Sequence, residues 1–265
     1  MNQGETFFQQ ARAAFLEPSP GLKCTRVEAL WHAWQARALH LGSPDPALPL
    51  EPGRPEQPLL VAPEQVPLRN AVSREGRAAL LHAIAHIEFN AINLALDALL
   101  RFPFLPRDFL DGWLQVAAEE ARHFSLVCEH MEQSCACRYG DLPAHDGLWE
   151  MARRTAHDPL VRMALVPRLF EARGLDATPA IMRKFQGVGD RQAVTILQVI
   201  LAEEVGHVAL GDRWFRHLCA ERGLEPEATF QALLQAYDAP RPRRPFNEAA
   251  RRAAGFSEAE LARFQ

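Results

Sequence analysis

The feature that most constrains this chain is a pair of Glu-x-x-His motifs, each inside a long apolar segment that predicts an α-helix. The first runs from Glu120 to His123 and the second from Glu204 to His207. At 3.6 residues per turn, both residues of each motif share a face with hydrophobic neighbours, so a carboxylate and an imidazole point into the core. Because burying an unpaired carboxylate is costly, the sequence predicts a partner there, such as a metal ion.

Two further glutamates, Glu88 and Glu171, fall on the apolar stripes of two other predicted helices. Their spacing repeats that of the motifs, since 171 minus 88 is 83 and 204 minus 120 is 84. The pattern indicates a duplicated helix pair, in which each half supplies a lone glutamate and then a Glu-x-x-His. A single motif of this kind is usually a solvated ion pair, but four inward acids at repeated spacing are typical of a metal site.

The charges of such a site balance, because four carboxylates contribute about four negative charges and two divalent cations neutralise them. Two carboxylates would bridge the ions and each histidine would bind one ion, which leaves open positions for dioxygen or peroxide. Two iron ions are expected, with manganese or a mixed iron and manganese pair left open. The predicted ligands are Glu88, Glu120, His123, Glu171, Glu204 and His207.

The remainder of the chain predicts an essentially all-α protein, because no alternating strand pattern of useful length occurs. Eight prolines between residues 43 and 68 rule out a helix or a central strand there and predict an extended arm. We therefore expect an N-terminal helical extension (1–42), a proline-rich arm (43–70), a four-helix bundle that holds the metals (71–222) and a C-terminal helical extension (223–265).

Local signals predict where several helices begin and end. A capping box that starts at Thr25 predicts a helix over residues 25–41. Asp158 and Asp190 are predicted caps of two further helices, the first of which runs through residue 175 with a kink at Pro167. The pair of Thr178 and proline 179 predicts the restart of a short helix that ends near residue 185.

Composition excludes several classes of protein. The formal net charge of −4 argues against nucleic-acid binding driven by overall charge. We expect a cytoplasmic protein that does not enter a membrane, since the N-terminus lacks a basic and apolar leader and no run reaches about 20 apolar residues. Five cysteines without a C-x-x-C pair indicate neither a disulfide framework nor a rubredoxin-type iron site.

Other polar residues near the predicted ligands have alternative interpretations. His82 and His86 fall on the side of their helix opposite Glu88, so we interpret them as surface, packing or ligand-orienting groups rather than metal ligands. Asp212, about one turn past His207, is a candidate to orient a histidine of a neighbouring helix. Tyr139 would lie about 28 Å beyond Glu120 along a continuous helix, which argues against a radical-storing tyrosine.

Four segments of the chain resemble the DUF455 family of bacterial ferritin-like proteins. They are LHAIAHIE at 81–88, AEEARHF at 118–124, FEARGLD at 170–176 and EEVGHV at 203–208. The resemblance covers roughly residues 70–220. It implies a ferritin-like four-helix bundle with a dinuclear iron site, whose ligands correspond to the six residues named above, but it implies no settled reaction.

The favoured interpretation is a di-iron oxidase or oxygenase, an enzyme that takes electrons from an external donor and activates dioxygen to oxidise or hydroxylate an organic substrate. A rubrerythrin-type peroxidase usually carries rubredoxin cysteines, which are missing here. An iron-storage ferritin would be shorter and would lack the proline arm, so neither class of protein is favoured. The substrate, the electron donor and a homodimeric state are left open by the sequence.

Two alternatives remain. The bundle also resembles that of the tRNA hydroxylase that acts on isopentenylated adenosine, so RNA is an alternative substrate. Phosphate contacts could then come from an arginine cluster, although surface ion pairs are the favoured interpretation of that cluster, which consists of Arg241, Arg243, Arg244, Arg251 and Arg252. The other alternative is a non-catalytic metal-binding or scaffold protein in which the metals chiefly stabilise the bundle.

Overall fold

The structure, a computed structural model, describes residues 5–45 and 47–263. Pro46 of the arm and the predicted outer segment limits at residues 1 and 265 lie outside the described residues. The chain is all-α, and within the described part no β-strand occurs apart from an isolated bridge between Leu60 and Ala144. The chain forms two compact units, one that ends at Trp149 and one that begins at Glu150. The predicted division into four segments stays a prediction.

Helices make up both units. The first unit contains α1 (Phe7–Leu16), α2 (Pro20–Gln35), a short 3-10 turn (Pro63–Gln65), α3 (Arg74–Arg101), α4 (Arg107–Cys135) and the start of α5 (Gly147–Arg154). The second unit contains α6 (Pro159–Leu165), a π-helical turn (Val166–Glu171), α7 (Ala172–Gly187), α8 (Arg191–Glu221), α9 (Pro226–Ala236), α10 (Glu248–Ala253) and α11 (Glu258–Arg263).

The centre of the first unit is the packing of α3 against α4, with α1 and α2 on their outer sides. Helix α3 begins where the Ser73 hydroxyl accepts a hydrogen bond of 3.0 Å from the Gly76 amide, which satisfies one of its free N–H groups. It ends just before Phe102, because the following proline cannot continue the helix. Helix α4 ends at Cys135, where the next residue, Ala136, takes a left-handed φ of 50° and reverses the chain.

The proline arm lies against the first unit as extended chain. The amide of Val61 donates to the Ala144 carbonyl at 2.8 Å, so the arm pairs with the segment that follows α4. Arg54 donates to the Asp146 carboxylate at 2.7 Å and to the Asn90 side chain at 3.1 Å. The arm is therefore tied by ion pairing and backbone hydrogen bonds, since its prolines cannot form a helical ladder.

The second unit is organised around α8, against which α6, the π-helical turn, α7, α9 and α10 pack. Asp158 and Asp190 are confirmed as helix caps, because their carboxylates accept the amides of Leu160 at 2.8 Å and Ala193 at 3.0 Å. One part of its core joins α7, α8 and the C-terminal segment through the side chains of Ala172, Leu175, Val208, Ala254, Phe256 and Leu261.

Two predicted helix limits were wrong. Helix α2 begins at Pro20, whose fixed φ favours the first helical position, and the Thr25 hydroxyl donates to the Gly21 carbonyl instead of capping. Helix α7 does not restart at Pro179 but runs through it. A proline removes only one helical hydrogen bond, and the packing of α7 on α8 holds the helix together across that position.

Among the described residues, two helices are long and apolar enough to cross a membrane by length and composition alone, which the sequence pattern did not predict. The apolar stretch of α3 has a mean hydropathy of 1.3 and is 89% buried within the protein, as the core helix of a soluble protein would be. The corresponding stretch of α8 has a mean hydropathy of 1.5 and is 33% buried. Since core helices pass the same test, these two helices are weak support for membrane insertion.

Candidate metal centre

The first unit brings three predicted ligands together in its interior. Glu88 of α3 and Glu120 and His123 of α4 are 4%, 1% and 0% exposed. The Nδ1 atom of His123 lies 3.3 Å from Oε2 of Glu88 and 3.4 Å from Oε2 of Glu120. The ligand atoms of these three residues all lie within 4.8 Å of one another. Two carboxylates and one imidazole at this separation could bind one cation, and such a donor set suits iron, manganese or zinc.

Helical geometry explains this convergence. Glu120 and His123 are three residues apart, so they lie on the same face of α4 one turn from each other. Helix α3 is apolar and buried on almost every side, and Glu88 lies on the part of it that faces α4. The packing of α3 on α4 therefore brings together three side chains that the sequence predicted to face the interior, and their role as metal ligands stays a prediction.

The electrostatics of the cluster favour a bound cation. Burial, together with the nearby charge of Glu120, raises the pKa of Glu88 to about 8. Burial lowers the pKa of His123, but hydrogen bonds to Glu120 and Glu88 outweigh that effect and raise its pKa to about 11. Without a metal, the cluster therefore holds protons at neutral pH, and a divalent cation would displace them.

The second unit contains the other three predicted ligands. On α8, Nδ1 of His207 lies 3.6 Å from Oε1 of Glu204, and the two side chains are 2% and 12% exposed. The other carboxylate oxygen of Glu204, Oε2, is buried and has no hydrogen-bond partner among the described residues. A buried carboxylate oxygen without a protein donor is costly, and a cation would satisfy it.

Glu171 is the last residue of the π-helical turn and is partly buried. Its predicted inward position rests on 3.6 residues per turn, but a π-helical turn contains an additional residue, so the helical phase changes there. The kink predicted at Pro167 falls within this π-helical turn, which the sequence pattern did not predict. Turns of this kind within α-helices occur frequently at functional sites.

His82 and His86 are packing residues of the first unit and are 1% and 7% exposed, which excludes the surface interpretation. The Nε2 atom of His82 accepts a hydrogen bond from the Gly140 amide at 3.0 Å. Nδ1 of His86 lies 2.9 Å from the hydroxyl of Tyr139. Burial lowers the pKa of each imidazole to about 4, so both are neutral at physiological pH.

The distance estimated for Tyr139 was wrong, because α4 ends at Cys135 and the chain then reverses. The Tyr139 ring packs on Phe89 and Phe124 at centroid distances of 5.5 and 5.1 Å. These phenylalanines directly follow the predicted ligands Glu88 and His123 in the sequence. Distance therefore gives no reason to exclude a redox role for this tyrosine.

The role predicted for Asp212 was also wrong, because both of its carboxylate oxygens accept from arginines. Oδ1 lies 2.6 Å from Arg168 and Oδ2 lies 2.7 Å from Arg216. Arg168 and its further partner Glu260 were missed by the sequence analysis. The available signal was an arginine inside the apolar run VPRLF, since an arginine in such a place usually has a buried ion-pair partner.

Three arginines of the C-terminal cluster are used in ion pairs within the second unit. Arg251 is buried against Asp176 at 2.6 Å. Arg252 contacts Glu248 at 2.9 Å, and Arg244 contacts the same carboxylate at 3.0 Å. Surface ion pairing, the favoured interpretation of the cluster, is therefore confirmed for Arg244 and Arg252, whereas the ion pair of Arg251 is buried. Only the exposed Arg241 and Arg243 of the cluster show no such contact within the described residues.

Comparison with known proteins identifies the family. The model of the family described as "Protein of unknown function (DUF455)" matches residues 16–262 of this chain. A protein of Haemophilus influenzae, described as an uncharacterized protein, is 46% identical over 266 residues, which cover 96% of this chain and 92% of the relative. No solved structure matches the chain. The match over almost the whole length shows that the chain belongs to the DUF455 family.

Proposed function

We propose that this DUF455 protein is a ferritin-like di-iron carboxylate enzyme, which oxidises or hydroxylates an organic substrate with dioxygen and electrons from an external donor. The observation that carries the proposal is the buried cluster of Glu88, Glu120 and His123. Its three ligand atoms converge, and burial beside a second carboxylate holds the pKa of Glu88 near 8. Such an arrangement is costly without a cation, which makes a structural role without metal the weaker explanation.

The sequence repeat extends the proposal to two ions. Glu171, Glu204 and His207 supply the same residue types at the same spacing as the first set. Six protein donors for two ions, with a Glu-x-x-His in each half, are the donor set of ferritin-like dinuclear proteins. We accordingly propose that the four-helix bundle of those proteins is the architecture of residues 71–222.

The protein's own residues would bind and neutralise the metal and keep the site dry. Two iron ions would supply the electron transfer to dioxygen. Glu88 and His123 would each release a proton as a cation binds, so metal binding is coupled to pH. Apolar neighbours such as Phe89 and Phe124 pack on each other at 5.5 Å beside the cluster and would exclude water from it.

The alternative of an RNA substrate loses the support that came from this chain's own residues. That support was the C-terminal arginine cluster, of which three members are held in ion pairs with acids of the same unit. A phosphate contact would have to displace those acids. We therefore favour a small organic substrate over RNA.

The experiment that tests the proposal is metal analysis of protein prepared without oxygen and loaded with ferrous iron, followed by measurement of dioxygen uptake. We expect about two iron ions per chain and rapid uptake by the reduced protein. In Glu120→Ala, the iron content should fall to one ion or less, because the variant removes an oxygen donor from the buried cluster.

The matched control is Glu119→Ala. Glu119 is the neighbouring acid on α4 and accepts a hydrogen bond from Gln115 at 2.8 Å. The Glu119→Ala variant should retain the iron content of the natural protein. Equal iron binding by Glu120→Ala and the natural protein would contradict the ligand assignment, whereas full iron content without dioxygen uptake would favour the non-catalytic alternative.

A further inference from the structure

The π-helical turn that ends with Glu171 is anchored by a buried arginine. The Arg168 side chain is fully buried and its guanidinium donates to Asp212 of α8 and to Glu260 of α11. Three aromatic rings surround it, with the guanidinium carbon 4.3 Å from the centre of Phe230 and 4.8 Å from that of Phe256. Cation–π contacts of this kind hold a guanidinium in one orientation.

Arg168 is part of a closed ring of four charges. Arg216, one turn beyond Asp212, donates to Oδ2 of Asp212 at 2.7 Å and to Oε2 of Glu260 at 3.1 Å. Each arginine therefore contacts both acids, and the ring has no net charge. Three of its four side chains are nearly inaccessible, whereas that of Arg216 is 34% exposed.

Glu260 completes this ring from near the end of the chain. The Ser257 amide donates to Glu260 Oε2 at 2.9 Å, which fixes the carboxylate at the start of α11. The segment that precedes α11 lies close to α8, because a Cβ atom at Gly255 would be 2.6 Å from the Asp212 carboxylate. Helix α11 is thereby joined to both α8 and the π-helical turn by charged contacts.

The π-helical turn is also held directly against α8. A Cβ atom at Gly211 would lie 2.5 Å from the ring of Pro167, so the absence of a side chain at residue 211 allows the two segments to touch. Gly211 follows His207 by four residues, and Arg168 precedes Glu171 by three. The contacts that hold the turn on α8 therefore lie one helical turn from predicted ligands on both segments.

We propose that Glu260 is a positioning residue for the metal centre, which acts through Arg168 to hold the π-helical turn and thus Glu171 in place for metal binding. The inference rests on the proposed function. Without the charge of Glu260, two arginines would share a single acid, and the buried Arg168 would carry uncompensated charge. The arginine would move toward water and shift the backbone that carries Glu171.

The test is Co²⁺ binding to the metal-free full chain, followed by the visible absorption of the bound ion, which depends on the number and geometry of its ligands. Glu260→Gln should weaken Co²⁺ binding by about 10- to 100-fold, the usual effect of losing a group that orients a ligand, and should change the absorption spectrum. A purely structural role would lower the melting temperature but leave the spectrum of the folded protein unchanged.

The matched control is Glu258→Gln on the same helix, because Glu258 is 74% exposed and pairs only at the surface with Arg252 at 2.5 Å. It should bind Co²⁺ like the natural protein. If Glu260→Gln does not fold, Asp212→Asn removes the other acid that Arg168 contacts, leaves the two arginines to share Glu260, and should likewise weaken Co²⁺ binding and change the spectrum.

The outcomes separate the two proposals. If the natural protein binds Co²⁺ and the folded ring variants match its affinity and spectrum, the positioning role is overturned while the metal centre stands. If the natural protein itself binds no Co²⁺ or iron, the proposed metal centre fails and the positioning role fails with it.

Discussion

At the scale of single residues, burial decides which groups keep a charge, and Lys23 shows this outside the metal centre. Its side chain is fully buried, and its amine donates to the carbonyls of Ala14 at 3.1 Å and Phe15 at 2.7 Å, in the last turn of α1. These contacts satisfy carbonyls that the helix leaves free. Burial lowers the pKa of Lys23 from 10.5 to about 7.

The lowered pKa predicts a pH dependence of stability. Between pH 7 and 10.5 the unfolded chain binds a proton at Lys23 that the folded chain does not, so this group makes the free energy of unfolding rise with pH. Its slope is at most about 1.4 kcal/mol per pH unit. Below pH 7 the lysine is charged in both states and the cost of burying it is fully present.

Urea unfolding at pH 6, 7.5 and 9 measures this contribution, with Lys23→Met as the comparison. As the pH rises, the free energy of unfolding of the natural protein should increase relative to that of the variant. A difference that stays constant across the three pH values would show that Lys23 keeps its ordinary pKa in the folded protein.

At the scale of elements, the contact between α8 and the π-helical turn determines where Glu171 lies. The turn has lost the regular helical ladder, so its position depends on tertiary contacts. At Gly211 the backbone of α8 lies so near Pro167 that no side chain larger than hydrogen fits. In the same helix, a Cβ atom at Gly206 would meet nothing within 4 Å.

Substitution by alanine should therefore have opposite effects on the free energy of unfolding at these two glycines. Gly211→Ala should lower the free energy of unfolding by about 1–3 kcal/mol, because the new methyl group overpacks the contact with Pro167. Gly206→Ala should raise it by about 0.5–1 kcal/mol, because alanine loses less backbone entropy in a helix. Denaturant unfolding of both variants tests this, and a stabilising Gly211→Ala would contradict the close contact.

At the scale of the whole molecule, metal binding and folding stability are linked. An ion that binds only the folded chain stabilises it by about 2.7 kcal/mol at a concentration of 100 times its dissociation constant. The same ligands are unfavourable in the metal-free protein, since they bury carboxylates, among them that of Glu204 with its unsatisfied Oε2. The presence or absence of metal should therefore decide whether substitution of a ligand residue lowers or raises the melting temperature.

Glu204→Ala tests this linkage. With iron present, its melting temperature should be lower than that of the natural protein, because at least one ion is lost. Without metal, the melting temperature should be unchanged or higher, because a buried carboxylate has been removed. Differential scanning calorimetry in iron and in chelator gives both values, and an equal decrease in both conditions would mean that Glu204 stabilises the fold without metal.

Much of the all-α fold could be predicted from local patterns. Apolar periodicity predicted α3, α4 and α8, and the predicted caps at Asp158 and Asp190 are present. The helical phase also predicted that Glu88, Glu120 and His123 face the interior, where they are nearly inaccessible. These features depend on residues within one or two turns of each other, and a linear pattern contains that information.

What the sequence by itself determined is the phase of the long helices and, with it, the inward position of Glu88, Glu120 and His123, while the tertiary structure decided how those helices are interrupted and connected. The π-helical turn before α7, the reversal that brings Tyr139 onto Phe89, and the charge ring closed by Glu260 were all missed. Each depends on contacts between residues far apart in the chain. Periodicity reports only the phase of a regular helix, so departures from the helix and the partners of a buried charge appear only once the segments pack.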